Sequence, residues 1–213
     1  MIKYVLRLSF IPILLLLAAC GQVTATRGAS FVDPAFRGTV FNSIVVDTRS
    51  GNLTERQAIE HSAAETLGRA GTQGIPALSV VPPTRDYGET VRRRNIMNSG
   101  AQAVLEIIPR ERRIVESYMP GTQYRDLRRG HGHRWNRDAY WDDPFYYDPP
   151  LILEEPEARY EVTLYTLPKY TIAWTADITT RGPTGMTFDE VGANFGREII
   201  ERLAKDGLVA PLP

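Results

Sequence analysis

The first half of the chain alternates between short apolar runs and segments with helical periodicity. Val40 to Asp47 is apolar and β-branched, which predicts a buried strand. Thr54 to Gln57 is a capping box, which predicts the start of a helix over about residues 55–70. Gly71 stands where a C-terminal cap of this helix is expected. The apolar residues of this helix recur at helical spacing: Ile59, Ala63, Leu67 and Ala70.

Two more strands and one more helix are predicted before residue 110. Ile75 to Val81 predicts a second strand that stops at Pro82. Glu89 to Ser99 predicts a second helix, although its apolar positions are few, and Ala103 to Ile108 predicts a third strand. Strands separated by helices form βαβ units, so we expect a sheet that is at least partly parallel.

The last third of the chain predicts a β-hairpin and a helix. Tyr160 to Leu167 alternates apolar and polar residues, Pro168 follows in a turn, and Tyr170 to Thr179 returns with Trp174 directed into the core. A capping box at Thr187 begins the final helix. Its apolar stripe comprises Phe188, Val191, Phe195, Ile199 and Leu203. The predicted fold class is therefore α/β: a mixed sheet of about five strands in the order βαβαβ, then the hairpin and a C-terminal helix, with the helices on one face.

Residues 118–157 interrupt this pattern and predict a long irregular insertion loop. The loop holds eight of the 20 aromatic residues of the chain, together with several arginines. Aromatic and arginine side chains are the groups that protein interfaces use as binding centres. The predicted interaction residues are Tyr124, Arg128, Arg129, Trp135, Tyr140, Trp141, Phe145, Tyr146 and Tyr147. The alternative is that the loop folds back and its aromatic side chains cover the sheet.

The N-terminus predicts export and lipidation. Lys3 and Arg7 precede an apolar stretch, Leu8 to Ala19, which is shorter than the roughly 20 residues that a membrane-spanning helix needs. The segment ends in Leu17-Ala18-Ala19-Cys20-Gly21, which resembles the lipobox of bacterial lipoproteins. The resemblance implies cleavage after residue 19 and a covalent lipid on Cys20. Gly21 stands where lipoproteins of the inner membrane often have Asp, which implies anchoring to the outer membrane, on its periplasmic side.

The predicted organisation follows from this N-terminus. Residues 1–19 are a signal peptide, residues 20–37 a membrane tether, and residues 38–213 one periplasmic domain. Removal of the signal peptide takes away two basic residues and no acid, which leaves 23 basic and 25 acidic residues. This balance excludes a strongly basic nucleic-acid binder. Cys20 has no second cysteine with which to form a disulfide inside the chain.

Three short motifs resemble the small α/β domains of trans-periplasmic auxiliary lipoproteins. They are the strand Ser43-Ile44-Val45-Val46-Asp47, the segment Gly100-Ala101-Gln102-Ala103-Val104-Leu105, and the hairpin motif Thr171-Ile172-Ala173-Trp174. The resemblance covers residues 38–208. This part of the chain is similar to the TolB N-terminal domain and to CsgG-like and penicillin-binding-protein-activator domains. The chain also resembles uncharacterised bacterial lipoproteins with a Tyr/Pro-rich loop. These resemblances imply the fold and an envelope location, and they supply no catalytic residues.

Two histidines in the loop form a candidate metal site. His131 and His133 are two residues apart among several acids and could bind Zn or Cu. The alternative is that they are solvated loop residues, since Arg128 and Arg129 lie beside them and repel a cation. We therefore predict no bound metal and no cofactor besides the lipid.

Enzymatic motifs are absent from the sequence. No G-x-S-x-G elbow or phosphate-binding glycine loop follows a strand. The adjacent acids Asp142 and Asp143, like Glu154 and Glu155, lack the separation across a cleft that a glycosidase needs. Arg92 to Arg94 could contact phosphates, but a charge run on a helix is usually a solvated face.

The sequence thus favours a non-catalytic, membrane-anchored lipoprotein that assists an envelope complex through an envelope protein partner. The first alternative is a lipoprotein that binds peptidoglycan or another glycan, because aromatic rings stack on sugar faces. The second alternative is a metal-dependent or hydrolytic envelope enzyme.

Replacement of Cys20 by Ala tests the anchor. We expect the Cys20→Ala variant to lose both acyl labelling and membrane retention, because each buried methylene of a lipid contributes about 0.8 kcal/mol to anchoring. Metabolic labelling with a fatty-acid analogue and cell fractionation measure the two effects. A variant that is still labelled and retained would contradict the lipoprotein hypothesis.

Overall fold

The computed structural model describes residues 25–121, 123–125, 145–147 and 149–213. The predicted signal peptide, Cys20 and the centre of the insertion loop lie outside the described residues. The strands are β1 (Ala25–Val32), β2 (Ser43–Thr48), β3 (Gln73–Pro76), β4 (Ala103–Met119), β5 (Gln123–Arg125), β6 (Phe145–Tyr147), β7 (Leu151–Thr166) and β8 (Thr171–Arg181). The helices are α1 (Leu53–Arg69), α2 (Ala77–Val80), α3 (Glu89–Asn98) and α4 (Phe188–Lys205), with a 3-10 turn at Pro34–Phe36.

Six strands form one mixed sheet in the order β1-β8-β7-β4-β2-β3. β2 runs parallel to both β3 and β4, while β4-β7, β7-β8 and β8-β1 are antiparallel. The predicted α/β class, the hairpin and the C-terminal helix are confirmed. β5 and β6 form a separate two-stranded sheet.

The main sheet has one strand more than the five predicted, and this strand is β1. It lies in the segment 20–37 that was predicted as a membrane tether, so the boundaries of that tether are wrong from residue 25 onward. β1 pairs along its whole length with β8. The end of α4 also binds it: Ser30 Oγ donates to Asp206 at 2.7 Å, and Arg202 donates to the carbonyl of Gly28 at 2.7 Å. Small and polar residues suit an edge strand because only its backbone has to pair. Composition alone therefore did not distinguish it from a linker.

Helices cover both faces of the sheet, which corrects the prediction of one covered face. α1 and α4 pack on the face that carries Ile44, Val46 and Leu105. The opposite face carries Val45 and Val104, which form a second, smaller core under α2 and α3. β2 is therefore apolar on both sides, as its continuous apolar run requires.

The predicted strand at Ile75 to Val81 is wrong beyond its first two residues. β3 ends at Pro76, and residues 77–80 form the short helix α2. The buried carboxylate of Glu60 on α1 accepts a hydrogen bond from the N–H of Leu78 at 2.8 Å. A long-range carboxylate thus binds the start of the helix, which a local pattern of β-branched residues does not reveal.

The N-terminal cap of α4 was predicted correctly, and that of α1 was not. α4 has the predicted capping box between Thr187 and Glu190. α1 begins two residues earlier than predicted, because Asn52 and not Thr54 is its N-cap and accepts from the N–H groups of Thr54 and Glu55. Helix α3 lies within one residue of its predicted range.

Trp174 and the apolar stripe of α4 belong to the core, as predicted. Trp174 is fully buried, and its indole N–H donates to Asp206 at 2.7 Å. Phe195 stacks on Tyr160 of β7 with ring centroids 4.1 Å apart. The C-terminal helix is therefore fixed to the centre of the sheet through aromatic contact.

A glycine on α4 allows the close approach of α4 to α1. A Cβ added at Gly196 would lie 2.6 Å from the carbonyl oxygen of Ile59, on the backbone of α1. We expect Gly196→Ala to lower the free energy of unfolding by about 1–3 kcal/mol, because the helices must separate to accept the methyl group. Urea denaturation measures the change.

Gly68 on α1 is the matched control for this substitution. A Cβ there meets no atom within 4 Å. Gly68→Ala should therefore stabilise the protein by about 0.5–1 kcal/mol through helix propensity. Equal effects of both substitutions would show that the packing at Gly196 is not limiting.

Candidate functional site

The predicted interaction residues divide into those the structure describes and those it does not. Tyr124 lies on β5, and Phe145, Tyr146 and Tyr147 lie on β6. The two strands are antiparallel and place Tyr124 opposite Tyr146. Arg128, Arg129, His131, His133, Trp135, Tyr140 and Trp141 lie outside the described residues, as does the lipid attachment residue Cys20.

The insertion is shorter than predicted because β4 and β7 extend far into it. The prediction ended the third strand at Ile108 and began the loop at residue 118, whereas β4 continues to Met119 and β7 begins at Leu151. β7 pairs with β8 only as far as Glu157 opposite Arg181. Residues 114–119 and 151–156 therefore form a two-stranded antiparallel ribbon beyond the main sheet, and we call this segment the ribbon.

The ribbon exposes large apolar side chains. Five of the eleven most exposed large apolar residues, among those whose side chains the structure describes, lie on it. They are Ile114, Tyr118, Met119, Leu151 and Ile152, with 50–67% of their surface accessible. Exposed apolar side chains in this number make the ribbon a candidate contact site for another molecule.

One face of the ribbon places two acids between apolar pairs. Residues that are directly opposite in an antiparallel ladder share a face. Ile114 lies opposite Pro156 and Tyr118 opposite Ile152, and between these pairs Glu116 lies opposite Glu154. Like charges at directly opposed positions destabilise a strand pair. The isolated ribbon thus has an unfavourable contact at its centre.

We call the residues at which the ribbon leaves the main sheet, Arg112 and Arg113 of β4 and Glu157 of β7, its root. On the side of the sheet that faces α1, the root is held by a buried carboxylate. Glu55, in the first turn of α1, is fully buried and pairs with Arg112 of β4. The same carboxylate accepts from Ser50 Oγ and from the hydroxyl of Tyr160, the latter at 3.3 Å. Burial is the main cause that raises the pKa of Tyr160, and the Glu55 charge adds to it. Tyr160 therefore stays a hydroxyl donor.

The opposite face of the root has a second arginine–carboxylate cluster. Glu157 is buried, and it accepts from Arg181 at 2.7 Å and from Arg113 at 2.6 Å. The Arg181 hydrogen bond, joined by Arg113, holds the pKa of Glu157 below its usual range. The two clusters fix the direction in which the ribbon leaves the sheet. Sequence analysis did not single out Arg112 or Arg113, because their partners are 57 and 44 residues away.

A third cluster lies at the carboxyl end of β2. Arg92 donates through Nε, at 3.0 Å, and through Nη2 to the buried carboxylate of Asp47. The expectation that Arg92 belongs to a solvated charged face is therefore wrong. Arg56 lies 3.8 Å from the same carboxylate and donates to Glu60 at 2.8 Å.

Glu60 is the most enclosed acid of this cluster. Burial raises the pKa of Glu60, while the hydrogen bonds from Arg56 and from the N–H groups of Leu78 and Thr48 lower it. Asp47 accepts from Arg92, and Glu60 accepts from Arg56 and from the backbone N–H groups of Thr48 and Leu78. This arrangement joins β2, α1, α2 and α3, and it leaves these acids poorly suited to exchange protons with a substrate.

The described residues contain no cluster of three metal-ligating side chains and no helix that is long and apolar enough to cross a membrane. The histidine pair of the metal hypothesis lies outside that part of the chain.

No protein-family model matches the chain, and no curated protein matches it. Among solved structures, the chain is similar to a PelC dodecamer from Paraburkholderia phytofirmans, with 13% identity and a TM-score of 0.46 over 86% of this chain and 99% of that chain. A variant of this PelC dodecamer in a second crystal form matches with 13% identity and a TM-score of 0.46, over 84% and 98% of the two chains. Nothing about function or assembly is carried from PelC to this chain at that level of likeness.

Replacement of Glu154 tests the repulsion between the opposed acids of the ribbon, Glu116 and Glu154. Glu154→Lys should raise the free energy of unfolding by roughly 0.2–1 kcal/mol, because a repulsive pair with Glu116 becomes an attractive one. Thermal unfolding of the full chain in detergent measures the change. The double variant Glu116→Lys with Glu154→Lys restores like charges and should lose the gain. A single variant that is less stable than the double variant would contradict the assigned register.

Proposed function

We propose that this chain is a non-catalytic lipoprotein of the cell envelope, anchored to the outer membrane through Cys20, that assists the assembly, stability or regulation of an envelope complex. It binds an envelope protein partner through the ribbon and the adjoining residues 120–150. The observation that carries the proposal is the exposure of Ile114, Tyr118, Met119, Leu151 and Ile152 on the ribbon. The signal sequence and lipobox supply the location.

The structure of the ribbon supports a role in binding. A two-stranded ribbon with exposed apolar side chains on both faces gains little stability from its own contacts. The rest of the protein nevertheless fixes this ribbon through the buried carboxylates of Glu55 and Glu157, which bind Arg112 and Arg113 of β4. A fixed ribbon loses less conformational entropy when a partner covers it. Its geometry therefore suits insertion into, or pairing with, a protein surface.

The charge pattern indicates the chemistry of that partner. Glu116 and Glu154 are opposed on one face, with apolar pairs before and after them along the ribbon. A partner that places an arginine or lysine between apolar side chains would relieve the repulsion and cover the apolar residues together. Charge-assisted contacts of this kind increase specificity and association rate.

The buried acids support a non-catalytic role. Asp47, Glu55 and Glu60 each bind an arginine within the protein. The contact of Glu55 joins α1 to β4, that of Asp47 joins β2 to α3, and that of Glu60 lies within α1. A general acid or base needs an approach to substrate and a pKa near the working pH. The contacts of these three carboxylates suit structure rather than proton transfer.

Site-specific photo-crosslinking in intact cells tests the proposal. We expect probes at Tyr118 and Ile152 to give one dominant protein adduct, because these side chains are among the most exposed on the ribbon. A probe at Ile172 is the control, since Ile172 is 48% exposed but lies on β8 at the end of the sheet away from the ribbon. Mass spectrometry identifies the adducts.

Two results would contradict the assembly role. The first is the same protein adduct from Ile172 as from the ribbon, which indicates unspecific proximity. The second is a set of adducts that contains glycan or lipid alone. Glycan adducts would favour the alternative of a peptidoglycan-binding lipoprotein.

A further inference from the structure

A cleft of about 280 Å³ lies at the root of the ribbon. One wall is the loop that connects β2 to α1, with Arg49, Ser50 and Gly51. The other wall is residues 109–112 of β4. The volume is close to the lower end of the range for small-molecule sites, about 300–1,000 Å³, and suits one small charged group with little attached to it.

A β-bulge shapes the wall on β4. The register between β4 and β7 shifts between Pro109, opposite Tyr160, and Glu111, opposite Arg159. Arg110 stands at the shift and has no directly opposite residue in the ladder with β7, although its side chain forms an ion pair with Glu161 of that strand. Bulges redirect side chains and are frequent beside functional sites. Arg110, at the irregularity, and Arg112, just after it, both line the cleft.

The lining is rich in positive charge. Arg49, Arg110 and Arg112 contribute three guanidinium groups and Glu111 one carboxylate, so the lining has two positive charges in excess. The carboxylates that pair with these arginines do not line the cleft: they belong to Asp47, Glu89 and Glu106 for Arg49, to Glu161 for Arg110 and to Glu55 for Arg112.

The three arginines differ in how firmly they are held. Arg112 is fixed by the fully buried Glu55. Arg110 pairs with Glu161, whose side chain is 46% exposed. Arg49 pairs with Glu89, which is 48% exposed, and also lies 3.7 Å from Glu106 and 4.0 Å from the buried Asp47. Exposed ion pairs contribute little free energy, so Arg110 can turn from Glu161, and Arg49 from Glu89, to a stronger anion at small cost. The N–H groups of Thr54 and Glu55 are already bound by Asn52. The guanidinium groups are therefore the donors for a ligand.

The position in the sheet agrees with a ligand site. β2 lies between two parallel neighbours, β3 and β4, so the chain leaves β2 toward one side and returns on the other. Open α/β sheets bind ligands beyond the carboxyl ends of such strands. Arg49 directly follows β2, and its N–H donates to Ile107 of β4 at 2.8 Å.

We propose that this cleft binds a phosphate group, with Arg49, Arg110 and Arg112 as the ligating residues. Three guanidinium groups against one carboxylate in the lining suit an anion, and the planar fork of each guanidinium matches two phosphate oxygens. The site is independent of the protein partner proposed for the ribbon.

Calorimetric titration of the full chain in non-ionic detergent, at constant ionic strength, tests the site. The probes are inorganic phosphate, glucose 6-phosphate and dihexanoyl phosphatidic acid, with sodium sulfate and acetate for comparison. We expect saturable binding of one phosphate group per chain, weakened about tenfold or more in Arg110→Gln through loss of charge-assisted hydrogen bonds. The phosphate compound that binds most tightly distinguishes a free phosphate, a sugar phosphate and a lipid headgroup as the source.

Arg159→Gln is the matched control. Arg159 and Arg110 are each 51% exposed and paired with an exposed acid of the same sheet, but Arg159 does not line the cleft. Arg159→Gln should bind phosphate as the unaltered chain does. Arg49→Gln is a second test and should also weaken binding, so the result does not depend on one variant.

Three outcomes would overturn the site. One is the lack of saturable phosphate binding up to about 10 mM, which would limit the binding free energy to less than roughly 3 kcal/mol. Another is equal weakening in Arg159→Gln and Arg110→Gln, which would mark general charge attraction. The last is unaltered binding in both Arg110→Gln and Arg49→Gln when circular dichroism shows them folded.

Discussion

The antiparallel ladder between β4 and β7 is the interaction on which the rest of the structure depends. It pairs residues 103–119 with residues 151–166, through the middle of the main sheet and out into the ribbon. At one end Leu105 and Leu164 are opposite one another and fully buried. At the other end Tyr118 and Ile152 are opposite one another and mostly exposed. The same hydrogen-bonded ladder thus transmits the order of the core to a surface that has no core of its own.

Arginine–carboxylate pairs fix this ladder where it leaves the sheet. Burial of a charge is costly unless a partner and further hydrogen bonds compensate, so removal of one member of such a pair is more destabilising than its net contribution suggests. Glu55 illustrates the point, since Arg112, Ser50 and Tyr160 all bind its carboxylate. The chain has three lysines, and the ion pairs described are formed by arginine, whose planar group can bind two oxygens at once.

Local patterns predicted the elements whose order is encoded within one segment. α4 has its apolar stripe and its capping box within the 17 residues from Thr187 to Leu203, and both agreed with the structure. The helix α2 was not predicted, because three of its four residues, Ala77, Leu78 and Val80, are apolar as in a buried strand, while the contact that favours the helix comes from Glu60 on another element.

Segments whose order comes from distant partners were the ones that sequence analysis missed. β1 has the composition of a linker and is ordered by pairing with β8, about 150 residues later in the chain. The outer halves of β4 and β7 contain exposed apolar and charged residues without a clear period, so the pattern ended the strand where the core ends. The contacts of the candidate site also come from distant partners. Arg112 and Arg113 belong to a run of charged residues in the sequence, and only the fold brings them to Glu55 and Glu157.

The cleft and the outer end of the ribbon lie on the same strand but are far apart. Arg112 lines the cleft, and Tyr118 is six residues further along the same strand. Six strand residues span about 20 Å, which is beyond the reach of one phosphate group. A group bound in the cleft therefore cannot contact a partner at the outer end of the ribbon directly. Any effect of one on the other has to pass through the root, where Arg112 is shared between the cleft and the buried Glu55. Because that contact also sets the direction of the ribbon, the root is the place at which ligand binding and partner binding would be coupled.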